Sequence, residues 1–262
     1  MDLGLKDRIA LVAASSQGLG KAVALGLARE GASLALCART ESAIFQAADD
    51  IRRETGARVL ARPVDVTDYQ QVRRFVAEIL AEYGRVDICV ANAGGPPSKT
   101  FAQTTLEDWR AASELNLMST VHLAKETLPV MQEQRWGRFI AITSVTVKQP
   151  IDGLILSNAV RSGVMGLVKT LSNEYGPYNV LVNNVCPGYT GTARLQSLIG
   201  KLAENEHVPP QTIEDRWAAQ TPLRRIGRPE EFANLVVFLA SERASYITGA
   251  SIAVDGGIVK GY

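Results

Sequence analysis

Four polar residues have a spacing that could form a reacting centre. Asn116 lies within a helical pattern, and Ser144 ends the apolar run 139–143. Ser157 and Arg161 follow at the start of another helical pattern. Amide, hydroxyl and guanidinium groups can hold an oxygen atom, but an alkyl hydroxyl is a far weaker acid than a phenol, whose pKa is about 10. The predicted chemistry is oxygen binding with a weak source of protons.

A glycine-containing turn near the N-terminus is suited to bind phosphate. The apolar run 9–12 predicts a strand, and a helical pattern begins at Gly20. Backbone N–H groups in such a turn can approach a pyrophosphate, whose charge the helix N-terminus favours. Ala14 stands early in the turn, where a Cβ costs about 1 kcal/mol if φ is positive. The residues of the turn expected to contact a nucleotide cofactor are Ser15, Ser16, Gln17, Gly18, Leu19 and Gly20.

The end of the second predicted strand bears on which dinucleotide would bind. An acidic residue there would accept a hydrogen bond from the ribose 2′-hydroxyl of NAD(H). This chain has Arg39 and Thr40 instead, so a cation stands where a 2′-phosphate would lie. We expect both residues to contact the cofactor and NADP(H) to be preferred, with NAD(H) as a second cofactor that could bind. The alternative is a solvated arginine that opens the next helix.

Short apolar runs alternate with amphipathic segments along most of the chain. Strands are predicted at 9–12, 33–37, 59–60, 86–90, 138–142, 180–185 and 251–254. Apolar runs without alternation, separated by helices, are typical of parallel strands covered on both faces. The predicted fold class is α/β, with one doubly wound parallel sheet of Rossmann type in a single domain, 1–262, with helices on both faces. Residues 190–222 form the one long irregular stretch, and we interpret this lid segment as a cover over the substrate.

The composition excludes several other classes of protein. The chain has 262 residues, 46% of them hydrophobic and 21% charged, which are values of a globular protein. A formal net charge of +1 gives no electrostatic reason to expect nucleic acid. The first residues lack the apolar core of a signal peptide and no later run is long enough to span a membrane, so a cytoplasmic location is expected.

Cysteine and histidine usage agrees with that location. Cys37, Cys89 and Cys186 lie in or beside apolar runs, and they are interpreted as buried free thiols of a reducing cytosol. His122 and His207 are far apart along the chain, so no metal site is expected.

These motifs together resemble the short-chain dehydrogenase/reductase family over nearly the whole chain, and in particular its 3-oxoacyl-carrier-protein reductases. Family members use an Asn, a Ser, a Tyr and a Lys, and Asn116 and Ser144 match the first two. Ser157 stands where the family has Tyr, and Arg161 where it has Lys. The Lys normally lowers the Tyr pKa and binds the nicotinamide ribose. Arg161 can still donate to ribose hydroxyls, although the exchange is not conservative.

The resemblance also implies cofactor contacts beyond the phosphate turn. The segment after the third strand would hold the adenine, and the Asn-Ala-Gly segment matches a family motif. A Pro-Gly segment would lie beside the nicotinamide, where Thr190 or Thr192 could reach the carboxamide or phosphates. The residues implied are Asp65, Val66, Asn92, Ala93, Gly94, Pro187, Gly188 and Thr190.

Three interpretations of the altered centre compete. In the first, the protein is an atypical NADP(H)-dependent oxidoreductase that moves a hydride between the nicotinamide and a carbonyl or alcohol substrate. In the second, it binds NADP(H) without turnover, as a sensor or partner subunit. In the third, Tyr189 or Lys148 takes over the proton transfer. We favour the first, because random decay would also have damaged Asn116, Ser144 and Asn92.

The lid segment and the helix after Ser157 suggest a substrate class and an assembly. The lid segment is rich in apolar residues, which suits an apolar or acyl-bearing, 3-oxoacyl-like carbonyl compound. The resemblance implies a homotetramer in which the helices at 105–128 and 156–175 pair between subunits. Ala159, Gly163 and Gly166 would permit close approach along the second helix, unless they pack against the sheet.

Overall fold

A seven-stranded parallel sheet forms the centre of the molecule. The computed structural model describes residues 2–261, and the strands lie in the order β3-β2-β1-β4-β5-β6-β7. The order reverses between β1 and β4, where ligands bind in doubly wound sheets. The predicted fold class is confirmed. The strands are β1 (Ile9–Ala13), β2 (Ser33–Ala38), β3 (Val59–Pro63), β4 (Ile88–Ala91), β5 (Gly137–Ile142), β6 (Val180–Pro187) and β7 (Ser251–Val254).

Helices cover both faces of the sheet and create two hydrophobic cores. One core joins the sheet to α1, α2 and α9, and the other joins it to α3, α5 and α6. Because side chains alternate along a strand, Ala10 and Val12 of β1 enter the first core and Leu11 and Ala13 the second. The helices are α1 (Gly18–Arg29), α2 (Glu41–Thr55), α3 (Tyr69–Tyr83), α4 (Leu106–Ser113), α5 (Ser119–Gln134), α6 (Ile155–Tyr175), α7 (Ala193–Glu206), α8 (Pro210–Gln220) and α9 (Pro229–Ala240).

The lid segment is not irregular, which corrects the sequence-based expectation. It contains α7 and α8, which pack on each other around Leu195, Ile199 and Ile213. Thr192 caps α7 by accepting a hydrogen bond from the backbone N–H of Leu195 at 3.3 Å. Pro210 is the first residue of α8. A proline is tolerated there because the N–H groups of the first helical turn have no intrahelical acceptor.

The three cysteines are buried and free, as predicted. Burial raises the pKa of the Cys37 and Cys89 thiols to about 12, so both stay neutral. No helix among residues 2–261 is both long and apolar enough to cross a membrane.

Candidate active site

The carboxyl ends of the central strands bring together the four residues predicted to react. Asn116 lies in a π-helical turn, Glu114–Met118, between α4 and α5. Such turns often occur at functional sites. The Nδ2 atom of Asn116 donates to the backbone oxygen of Gly94, which follows β4, at 2.8 Å. Its Oδ1 atom is buried and has no hydrogen-bond donor within the described chain, so an acceptor remains available.

Arg161 is buried beneath the same loop and donates to three backbone oxygens. Its Nη1 atom donates to Thr143 at 2.6 Å and to Ile142 at 3.1 Å, and its Nη2 atom donates to Gly94 at 3.3 Å. Burial, and next the charge of Arg194, lower the pKa of Arg161 to about 10, so the side chain remains a cation at neutral pH. Arg161 therefore ties the end of β5 to the loop after β4.

The two serines meet through Thr146, a residue that the sequence analysis did not single out. The backbone N–H of Thr146 donates to the Ser144 hydroxyl at 3.2 Å. The Thr146 and Ser157 hydroxyls are buried and lie 3.1 Å apart, and either one can be the donor. Only the position of Thr146, two residues after Ser144, could have indicated this role from the sequence. A threonine at such a position has many ordinary roles.

The phosphate turn follows β1 and depends on close backbone contacts. Ala14 has a φ of +48°, a conformation that strains a residue with a Cβ. A Cβ on Gly20 would lie 2.4 Å from the Ala14 backbone oxygen, so only glycine fits there. The Ser15 side chain is buried and donates to the Val12 oxygen at 2.9 Å, which shapes the turn from within. Asn92 donates to the Ala14 oxygen at 3.3 Å and joins β4 to the turn.

The start of α1 fits a pyrophosphate. Gln17 precedes the helix without a side-chain cap, and the first turn contains no acidic residue. Its first N–H groups have no intrahelical acceptor, and they point where an anion would be favoured. Thr192 lies against Gly18, because a Cβ on that glycine would be 3.4 Å from the Thr192 methyl group. The lid segment therefore begins beside the phosphate turn.

The end of β2 fits a 2′-phosphate. Arg39 is exposed there, and Thr40 precedes α2 without a side-chain capping bond. None of the ion pairs found between residues 2 and 261 involves Arg39, so its charge is available to a ligand. Together with the uncapped start of α1, this arrangement fits a phosphorylated dinucleotide.

The remaining predicted cofactor residues follow the carboxyl ends of the strands, at the same end of the sheet. Asp65 accepts from the Thr67 N–H at 3.0 Å and hydroxyl at 2.8 Å, and Val66 beside it is buried. Ala93 lies between Asn92 and Gly94. Pro187 ends β6, and a Cβ on the next residue, Gly188, would lie 2.7 Å from the Asp255 Cα. Thr190 is buried and donates to the Gly188 oxygen at 3.4 Å.

A pocket of about 380 Å³ is lined in part by Val145, the residue that follows Ser144. Tyr189 forms part of its wall, stacks on Trp217 with ring centroids 4.6 Å apart, and donates to Gln220 Oε1 at 3.3 Å. Three separate parts of the chain therefore meet here: the loop after β5, the lid segment and a C-terminal segment, residues 255–260. The lining residues are Val145, Gln149, Pro150, Ile151, Tyr189, Ala219, Gln220, Ile258, Val259 and Lys260.

The lid segment is also attached on its other side. Arg194 at the start of α7 donates through Nη2 to the Pro96 oxygen at 2.7 Å. Its guanidinium lies against Gly95, where a Cβ would be only 3.3 Å from Nη2. Within the described residues, no group of three or more His, Cys, Asp or Glu side chains could hold a metal ion.

Known proteins resemble the chain over almost its full length. A family model described as enoyl-(acyl carrier protein) reductase matches residues 13–259. The 3-oxoacyl-(acyl-carrier-protein) reductase FabG of Aquifex aeolicus is 33% identical over 258 residues, which are 98% of this chain and 100% of the relative. The NADPH-dependent reductase BacG of Bacillus subtilis is 30% identical over 257 residues, 98% of this chain and 99% of the relative. The L-sorbose reductase of Gluconobacter frateurii, solved with NADPH and L-sorbose, has a TM-score of 0.96 and 33% identity, and the match covers 100% of both chains.

Proposed function

Because this chain belongs to the short-chain dehydrogenase/reductase family of oxidoreductases, we propose that it transfers a hydride between NADP(H) and a carbonyl or alcohol substrate, such as a 3-oxoacyl compound. One observation carries the proposal: Asn116, Ser144, Ser157 and Arg161 converge at the carboxyl ends of β4 and β5, beside the phosphate turn and a pocket of about 380 Å³. The reacting centre is atypical, since a hydroxyl stands where the family places a phenol.

The chain's own residues have distinct tasks in this proposal. A nicotinamide bound here would supply or accept the hydride. Ser144 accepts a bond from Thr146 N–H, which leaves its own O–H free to donate to the substrate oxygen. Ser157 can accept a hydrogen bond from the Thr146 hydroxyl while its own O–H donates to the substrate oxygen, and solvent water supplies the proton that the reduced oxygen takes up. The fixed charge of Arg161 favours negative charge that develops nearby. Loss of a well-matched acid typically slows proton transfer by 10²–10⁴-fold and does not abolish hydride transfer.

A second candidate is a protein that binds NADP(H) without turnover, as a sensor or partner subunit. Arg161 donates three hydrogen bonds to backbone oxygens, and the Ser157 hydroxyl forms a hydrogen bond with the Thr146 hydroxyl. Both arrangements would persist in a centre that no longer reacts. The third possibility, proton transfer by Tyr189 or Lys148, finds less support, because Tyr189 donates to Gln220 and Lys148 is exposed.

Binding and turnover separate these candidates. NADPH fluorescence should change on titration with the purified protein, and a panel of ketones and 3-oxoacyl thioesters should then oxidise the bound NADPH. Ser144→Ala should lower kcat by about 10²-fold or more without weakening NADPH binding. Binding without oxidation by any compound would support the sensor candidate, and no binding would rule out both.

Arg39 is expected to determine the preference for NADPH over NADH. Arg39→Ala should weaken NADPH binding by about tenfold or more, because a charge-assisted contact to the 2′-phosphate is lost, and it should leave NADH binding nearly unchanged. Dissociation constants for both cofactors, measured by fluorescence, check this. Arg53→Ala, an exposed arginine on α2, is the matched control. Equal losses for NADPH and NADH would mean that Arg39 has a structural role only.

We also propose that the protein works in the cytoplasm as a homotetramer. The three buried free thiols suit a reducing compartment. Ala159, Gly163 and Gly166 of α6 are exposed in the subunit, so they are available for close helix pairing with another subunit. Exposure of these residues supports the assembly that the family resemblance implies.

A further inference from the structure

The wall of the pocket that Val145 lines contains one positively charged residue. Of its ten lining residues, Lys260 alone is charged, and none is acidic. Lys260 is exposed, and it takes part in none of the ion pairs found within residues 2–261. The other lining residues include the apolar Ile151 and Val145, and Val145 directly follows Ser144. The lining is therefore amphipathic, and its one charge is positive.

The two amides of the pocket are oriented as donors. The Gln149 Oε1 atom already accepts from the Lys260 backbone N–H at 3.0 Å. The Gln220 Oε1 atom accepts from the Tyr189 hydroxyl at 3.3 Å. Neither Nε2 group has an acceptor in the described part of the chain. Burial raises the pKa of Tyr189, so this phenol stays neutral and adds no negative charge. Each amide therefore has N–H groups left to offer a ligand.

Asp255, a carboxylate of the C-terminal segment, already accepts hydrogen bonds from that segment. Asp255 accepts from the Gly257 N–H at 2.9 Å and from the Val259 N–H at 3.0 Å. These bonds fold the C-terminal segment back towards the pocket, and with the bond to Gln149 they place Lys260 in its wall. A ligand with anionic oxygen atoms would match this set of donors, whereas a neutral ligand would gain no charge-assisted bond from the ammonium group.

We propose that the substrate of this site is an oxo acid, whose carboxylate is bound by Lys260 with help from the Gln149 and Gln220 amides. Its apolar portion lies against Val145 and Ile151, and its carbonyl group reaches Ser144. This inference rests on the proposed function, because it treats the pocket as the substrate site. It narrows the class from carbonyl compounds in general to those that carry a carboxylate.

Binding tests the inference without any turnover. Isothermal titration of the NADP⁺-loaded protein with hexanoate and with hexanamide compares a carboxylate with its neutral counterpart. Hexanoate should bind about tenfold more tightly, and Lys260→Met should remove most of that difference while leaving hexanamide unchanged. Lys260→Arg should keep the preference. Lys201→Met, an exposed lysine of α7 outside the pocket, is the matched control.

Turnover provides the second arm. The ratio of kcat/KM for 3-oxohexanoate to that for its ethyl ester should favour the acid and should fall about tenfold in Lys260→Met, mainly through KM. An unchanged ratio, with equal binding of hexanoate and hexanamide, would overturn the inference while ester reduction still supports the proposed function. Lys260-dependent hexanoate binding without reduction of any compound would instead keep the anion site and contradict the oxidoreductase.

Discussion

At the scale of single residues, Arg161 is buried and has three hydrogen bonds to backbone oxygens to lose. Arg161→Met should lower the free energy of unfolding by about 1–3 kcal/mol, because backbone oxygens of Ile142 and Thr143 lose a charge-assisted donor inside the protein. Arg161→Lys should lose about half as much, since one ammonium group cannot reproduce the fork of a guanidinium. Urea unfolding followed by tryptophan fluorescence measures both changes.

The matched control for that series is Arg110→Met. Arg110 is exposed and makes a single bond to Glu107 at 3.5 Å, so its loss should change stability by no more than about 0.5 kcal/mol. Equal stability of the Arg161 variants and the parent would mean that the bonds to the strand ends contribute nothing. Arg161 would then serve the cofactor or substrate alone.

Replacement of Ala14 should raise the free energy of unfolding, whereas replacement of Arg161 should lower it. Its φ of +48° strains an alanine, so Ala14→Gly should stabilise the protein by about 0.5–1 kcal/mol after the greater freedom of glycine in the unfolded chain is counted. Ala22→Gly inside α1 makes the same chemical change at an ordinary helical position and should destabilise by about 1 kcal/mol. Thermal unfolding of the two variants should therefore move in opposite directions. A lower melting temperature for both would show that the turn is not strained.

At the scale of elements, periodicity was sufficient for the strands. Every predicted strand overlaps an observed one, because parallel strands covered by helices on both faces contain runs of apolar residues. The expectation failed in the lid segment, which was predicted to be irregular although Pro209 and Pro210 open α8. A proline can break a helix or begin one, and only the packing of Ile213 and Leu195 in the folded chain distinguishes these two roles.

The candidate site could be predicted as a set of residues but not as a network. The motif order placed Asn116, Ser144, Ser157 and Arg161 at one edge of the sheet, and the structure brings them there. The link through Thr146, the π-helical turn at Asn116 and the backbone acceptors of Arg161 depend on three-dimensional register. No spacing within a single sequence determines those contacts.

The contact between Arg194 and Pro96 joins two elements that flank the reacting centre. Arg194→Met should loosen the start of α7 from the loop after β4, because the guanidinium bond at 2.7 Å and its packing on Gly95 are lost. Amide hydrogen exchange in 193–206 should then quicken by about threefold or more, with the strands unaffected. NADPH should also dissociate faster, since Thr192 of the same segment lies against the phosphate turn.

Arg53→Met is the control for this change, because Arg53 is an exposed arginine on α2, far along the chain from the lid segment. Its hydrogen exchange should match that of the parent everywhere in α7. If Arg194→Met leaves both the exchange of α7 and the NADPH dissociation rate unchanged, the contact does not hold the lid segment in place.

At the scale of the whole molecule, distant parts of the chain meet at one edge of the sheet. The phosphate turn near the N-terminus, the loops after β4 and β5, the lid segment and the C-terminal segment all border the same region. The two hydrophobic cores hold the sheet from either side, so the strands form a rigid base while the loops at their carboxyl ends carry the candidate site. Under the proposed function, we expect a change in the C-terminal segment to alter substrate choice without touching the cofactor residues.

The exposed face of α6 is the proposed contact between subunits. Ala159, Gly163 and Gly166 are exposed along α6, so a large charged side chain among them would not disturb the subunit's own core. In a homotetramer in which α6 helices pair, Ala159→Arg should block the close approach and put a charge in the interface. Light scattering at micromolar concentration should show a tetramer for the parent and a dimer or monomer for the variant, with circular dichroism unchanged. Lys169→Ala, an exposed position farther along α6, should leave the mass unaltered. A monomeric parent would contradict the assembly outright, and a tetrameric Ala159→Arg variant would mean that the subunits pair through another surface.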